Sequence, residues 1–200
     1  MSEIEREREA EVEVEGEVDA EELDPEVLAR RRAALRQVRQ FGDPVLRAKA
    51  LPVAQFDAAL ASEAERMGQL MVDALGVGLA ATQVGVLHRM FVFRVDEEDE
   101  VTALVNPVIE WSSDEREPGM EGCLSLPGVH VEVERAAAVR VRAQDLSGAP
   151  LVIEREGLGA RVLQHEIDHL DGVLVLDRIS RSDRRDAMRA MREAMDADDA

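Results

Sequence analysis

The sequence predicts an α+β fold. Mainly antiparallel β-sheets pack around a central helix carrying His165-Glu166-Ile167-Asp168-His169, with an N-terminal and a C-terminal helix on either side. Three observations predict it. The hydrophobic period is helical up to residue 75, becomes two between residues 90 and 142, and turns helical again from residue 158. Helices, then a block of strands, then helices favours antiparallel sheet over alternating βαβ units. Finally, 200 residues with 46% hydrophobic side chains suit a single domain that buries a core without disulfide bridges.

Residues 1–24 come first and stand apart. They hold ten Glu and two Asp against two Arg, so more than half of the chain's net charge of −19 sits there. Such a tract repels itself and has too little apolar surface to offset its ordering entropy, which predicts a disordered acidic tail. Residues 25–195 are the expected folded domain and residues 196–200 a disordered C-terminus. Asp24-Pro25-Glu26 is a helix start, with a capping side chain, a proline at the first helical position and an acid in the first turn. That helix should run to about residue 40, with Val27, Ala34 and Val38 on one side and five arginines elsewhere.

A second helix is expected over residues 58–75, where Leu60, Ala64, Met67, Met71 and Leu75 form one stripe. Strands follow at residues 91–95, 101–109, 129–133, 139–141 and 151–153, separated by charged or Gly/Pro turns. The third helix spans residues 158–170 and ends at Gly172. The last, over residues 182–195, places Met188, Met191 and Met195 on one side and Arg181, Arg185, Arg189 and Arg192 on another.

Composition excludes several functions. A charge of −19 opposes DNA, general nucleic-acid and anionic-membrane binding, and five aromatic residues with no Tyr leave few platforms for stacking bases. No apolar run approaches the roughly 18 residues of a membrane span, and one cysteine forms no internal disulfide framework, so a cytoplasmic protein is expected.

The chemistry concentrates in three segments. His165 and His169 lie four apart on a helix, so both rings can reach one metal ion, while Glu166, about 100° away, can handle a proton on a nearby water. A hydrolytic metal site wants a third protein ligand. Glu193 downstream and Cys123 upstream both offer one, and beside two histidines a thiolate is the stronger candidate for Fe²⁺ or Zn²⁺. The third segment, Gly76-Val77-Gly78-Leu79-Ala80-Ala81-Thr82-Gln83, lacks the Gly-Lys-Ser/Thr ending of a phosphate loop. Its glycines admit a close ligand and Gln83 offers a neutral donor to a developing oxyanion.

In this order the glycine segment, Glu121-Gly122-Cys123-Leu124-Ser125, and Gln164 to Asp171 resemble the three signature motifs of peptide deformylases. The resemblance extends from about Asp43 to Asp177. It implies removal of the formyl group from N-formylmethionyl nascent polypeptides, with formate released. It implies one divalent ion held by Cys123, His165 and His169, with Fe²⁺ expected in the cell and Zn²⁺, Ni²⁺ or Co²⁺ also accepted. General acid/base duty falls to Glu166. Oxyanion stabilisation falls to the Gln83 side chain and the Leu124 backbone N–H. Gly76, Val77, Gly78, Gly122, Leu124 and His130 would contact substrate, although relatives often carry an arginine or a bulky residue where this chain has His130. A monomer that meets its substrate at the ribosome surface, through the arginines of its last helix, is the implied setting. Two residues are expected at the surface: His88, and Arg161, which is assigned to solvent because an inward position there calls for an apolar side chain. A rival of another class, a catalytically silent ribosome-binding relative, would need a broken site, and each catalytic position here holds a competent residue.

Overall fold

The computed structural model describes residues 23–96 and 99–198. Of the expected tail, residues 1–24, positions 1–22 lie outside them. Helix α1 (Pro25–Leu35) starts where Asp24 accepts the Glu26 N–H at 2.8 Å, as its capping sequence requires. It stops at Leu35, five residues earlier than expected. The following backbone is used elsewhere: Arg39 N–H donates to the Gln83 carbonyl at 2.7 Å and Phe41 N–H to the Ser125 carbonyl at 2.9 Å. Tertiary hydrogen bonds here override helix propensity.

Helix α2 (Ala58–Asp73) is capped by Asp57 and buries Leu60, Ala64, Met67 and Met71. Leu75, expected in its stripe, has left the helix with φ 61°. Among the described residues the seven strands are β1 (Gly78–Ala80), β2 (Met90–Phe93), β3 (Thr102–Ser112), β4 (Arg116–Glu121), β5 (Val131–Ala136), β6 (Ala138–Gln144) and β7 (Pro150–Glu156). Five make a sheet in the order β1-β2-β3-β6-β7, and β4 pairs with β5 in a separate ribbon; every pairing is antiparallel. Two strands differ from expectation. The glycine segment supplies β1 and then a 3-10 turn (Ala81–Val84) that carries Gln83. Strand β4 was not expected, because Pro118-Gly119 reads as a turn; a two-stranded ribbon is all edge and tolerates proline.

Helix α3 (Gly157–Leu170) is buried from Gly159 to its end, which makes it the central helix. Its Val162, Leu163, Ile167 and Leu170 join Phe91, Phe93, Leu104, Val139 and Val141 of the large sheet in one core. A second core joins α1 and α2 to β1 and β2. A third packs Cys123, Val131 and Val133 against Ala187 and Met191 of helix α4 (Arg181–Asp198). This last helix keeps Arg181, Arg185, Arg189 and Arg192 exposed, as its pattern predicts, and continues three residues past the expected domain end at 195.

Candidate metal centre and active site

Three elements deliver the site. Helix α3 presents His165 and His169 with ring centroids 5.0 Å apart. The turn leaving β4 presents Cys123, whose Sγ lies 3.3 Å from His169 Nε2. One ligand atom from each of Cys123, His165 and His169 lies within 4.8 Å of the others, and all three residues are buried. Glu193, the alternative third ligand, is exposed on α4 and lies outside this group.

The donor set suits a divalent ion. Nε2 of His165 is buried without a hydrogen-bond partner among the described residues, an arrangement that costs free energy unless a metal takes the lone pair. Nδ1 of the same ring is 3.0 Å from Glu121 Oε2, the orientation that metal-bound imidazoles usually receive from a carboxylate. Burial pushes the His165 proton affinity down, but Cys123 and Glu121 outweigh it and hold the ring well above the usual value. His169, equally buried and facing His165, is pushed well below. A cation bound by these three residues would replace the proton that such a cluster otherwise keeps.

Gln83 is fully buried beside this group. Its Oε1 accepts the Ala80 N–H at 2.9 Å, which turns its Nε2 toward Ser125 Oγ at 3.3 Å and Cys123 Sγ at 3.7 Å. The Leu124 carbonyl accepts from Gln40 Nε2 at 3.2 Å, so the segment after α1 braces the cysteine turn. Glu166, one per cent exposed, packs against β1: a Cβ on Gly78 would lie 2.3 Å from Glu166 Oε1. Only a glycine at position 78 lets the carboxylate rest there. Gly76 comes close to Leu124 in the same way, with 3.1 Å from an added Cβ to Leu124 Cδ1. Val77, half-buried, packs against the α3 core, and Gly122 is buried at the end of β4. His130 is half-buried just before β5, with a buried Nδ1 that has no partner among the described residues.

Arg161 is the clear correction. It is 7% exposed and points inward, not to solvent. Its guanidinium donates to Glu121 Oε1 at 2.9 Å and to the carbonyls of Val133 and Glu117 at 2.8 Å, with Gly119 at 3.4 Å. Such acceptors offset the desolvation that argues against a buried arginine. Arg135 grips both oxygens of Glu121 at 2.9 Å and reaches Asp168 at 2.6 Å; Arg178 closes on the other side of Asp168. Burial pushes the Glu121 carboxyl up, but its bonds from Arg135 and His165 prevail and keep it far below the usual range. Sequence reasoning gave Glu121, Arg135 and Asp168 no role. The available signals were Arg135 on the inward phase of Val131-Glu132-Val133-Glu134-Arg135 and Arg161 one helical turn before His165. His88 is exposed, as expected, and is bonded to Glu63.

Comparison with known proteins points to one family. The family model described as polypeptide deformylase matches residues 35–185. The chain is 47% identical over 161 residues to a peptide deformylase of Parafrankia sp., covering 80% of this chain and 87% of that one. It is 51% identical over 143 residues to one of Thermotoga neapolitana, covering 72% and 86%. A crystal structure of a peptide deformylase from Legionella pneumophila superposes with a TM-score of 0.75 at 42% identity, over 78% of this chain and 92% of that chain. Another, from Synechococcus elongatus in complex with actinonin, gives 0.73 at 40% identity, over 76% and 85%.

Proposed function

The chain belongs to the polypeptide deformylase family, and from that premise we propose what each residue of its site does. The enzyme is a metal-dependent hydrolase that removes the formyl group from the N-terminal formylmethionine of nascent polypeptides. The observation carrying the residue assignments is the convergence of one thiol and two imidazoles, from separate elements, beside a buried carboxylate.

Cys123, His165 and His169 would hold a divalent ion, which when bound would supply Lewis-acid chemistry for activating water. Fe²⁺ is the proposed metal in the cell; a thiolate with two imidazoles also accepts Zn²⁺, Ni²⁺ or Co²⁺. Glu166 takes the proton of the attacking water and returns it to the leaving amine nitrogen. The Gln83 amide and the Leu124 N–H donate to the oxygen that gains charge as the formyl carbon becomes tetrahedral, after which the C–N bond breaks and formate leaves. Gly76, Val77, Gly78, Gly122, Leu124 and His130 line the path of the substrate backbone and methionine side chain. The core of the enzyme is residues 25–195, acting as a cytoplasmic monomer, and the exposed arginines of α4 face the ribosome surface. No helix of the described residues is long and apolar enough to cross a membrane.

A coupled assay of formate release from a formyl-methionyl peptide, with metal analysis of anaerobically purified protein, tests this reading. Wild type should turn over with one ion per chain. Cys123→Ala should lose the ion, and Glu193→Ala should keep both ion and activity. Retention of the metal by Cys123→Ala together with its loss from Glu193→Ala would replace this ligand set.

A further inference from the structure

Arg161 and His165 are four residues apart on α3, and both hydrogen-bond one carboxylate, Glu121. The histidine uses Oε2 and the arginine Oε1. The arginine's remaining contacts go to backbone carbonyls of Glu117 and Gly119 on β4 and Val133 on β5, so one side chain fixes the β4–β5 ribbon to the helix beside the ligand. Cys123 leaves that same ribbon two residues past Glu121. Room for the guanidinium exists only because residue 119 lacks a side chain: a Cβ there would lie 2.7 Å from Arg161 Cζ and Nη2.

We propose that Arg161, seated over Gly119, is a positioning residue of the metal centre, setting through Glu121 the direction of His165 and the spacing between His165 and Cys123. The inference rests on Cys123, His165 and His169 being the metal ligands. A planar fork that serves a carboxylate and several carbonyls at once sets orientation as well as distance, which a lysine ammonium cannot reproduce. Arg135 also holds Glu121, but from β5 within the ribbon. Of the two arginines on Glu121, Arg161 is the one carried by the helix bearing the histidine, one turn before it, whereas Arg135 reaches that helix only through Asp168. Removing a partner that orients a metal-bound imidazole typically weakens metal binding about 10–100-fold.

The test uses Co²⁺ as a spectroscopic probe, with affinity from chelator competition and geometry from the visible ligand-field bands of the full chain. Arg161→Met should bind Co²⁺ about 10–100-fold more weakly, with shifted bands and a kcat that falls more than KM changes. Arg161→Lys should recover part of the affinity. Gly119→Ala keeps the arginine but displaces its guanidinium, so it should reproduce the effect; adding it to Arg161→Met should cost little more, because the two act through one contact. Wild-type affinity and spectrum in folded Arg161→Met would overturn the proposal. If that variant does not fold, the same result in Gly119→Ala overturns it. Cys123→Ala, run in parallel, separates the premise: an unchanged cobalt spectrum there would show the ligand assignment itself to be wrong.

Discussion

Helix α3 meets the two sheets by different means. Against the five-stranded sheet it sets Val162, Leu163, Ile167 and Leu170 in contact with Phe91, Phe93, Leu104, Val139 and Val141, an apolar interface without direction. Against the β4–β5 ribbon it sets Arg161 and Asp168 into a chain of ion pairs with Glu121 and Arg135. Apolar burial stabilises in proportion to area and tolerates small shifts. A charged hydrogen bond fixes distance and angle, at a desolvation cost only a satisfied network offsets. The side of α3 that carries the proposed metal ligands has the directional bonds, and the side that holds the fold together has the apolar contacts.

Four substitutions break or sharpen that contrast. The largest effect is expected from Arg135→Met, which takes a partner from two buried carboxylates. A loss of about 3–5 kcal/mol in urea unfolding is expected, together with weaker metal retention. Gly78→Ala probes the point where the large sheet does reach the chemistry. Its added methyl displaces the Glu166 carboxylate, so kcat should fall about 100-fold, roughly 2.7 kcal/mol in barrier, while metal content stays at wild-type level. Val141→Ala on the apolar side should cost about 2 kcal/mol of stability and leave the metal affinity of the folded protein untouched. Weakened metal binding in that variant would erase the distinction drawn between the two interfaces.

The smallest effect concerns pH. Burial pushes the Asp177 carboxyl up, but hydrogen bonds from Arg47 and the Leu174 N–H prevail and hold it below the usual range. A carboxyl lowered on folding stabilises at pH above its unfolded value, and that contribution disappears as pH falls through the folded value. Both Asp177–arginine pairs are partly exposed, so Asp177→Asn should remove at most about 1 kcal/mol at neutral pH. An acid-unfolding curve should show the variant and wild type converging at low pH. Divergence there would refute the sign.

The same contrast explains what could be read from the sequence. The apolar elements announce themselves through period: the stripe of Leu60, Ala64, Met67 and Met71 and the alternation of β5 lie where local rules put them, as does the capping of Asp24. The paired histidines, Cys123 and Gln83 were legible because chemistry restricts residue type and spacing. The structure brings Cys123 and Gln83 to the histidines from 40 or more residues away. Arg161 was misread because its burial depends on Glu121 and three carbonyls supplied by distant strands, which no local pattern encodes. Strand β4 was missed for a related reason. Proline and glycine break local propensity, and Gly119 is there to make space for that arginine. The early end of α1 likewise reflects backbone donors drawn to Gln83 and Ser125.

X-ray absorption at the metal edge of anaerobically loaded protein tests the central claim most directly. The account predicts one sulfur scatterer and two imidazole nitrogens, for Zn²⁺ at about 2.3 Å and 2.0–2.1 Å respectively, with the sulfur lost in Cys123→Ser. A first shell of nitrogen and oxygen alone in the wild-type enzyme would contradict it.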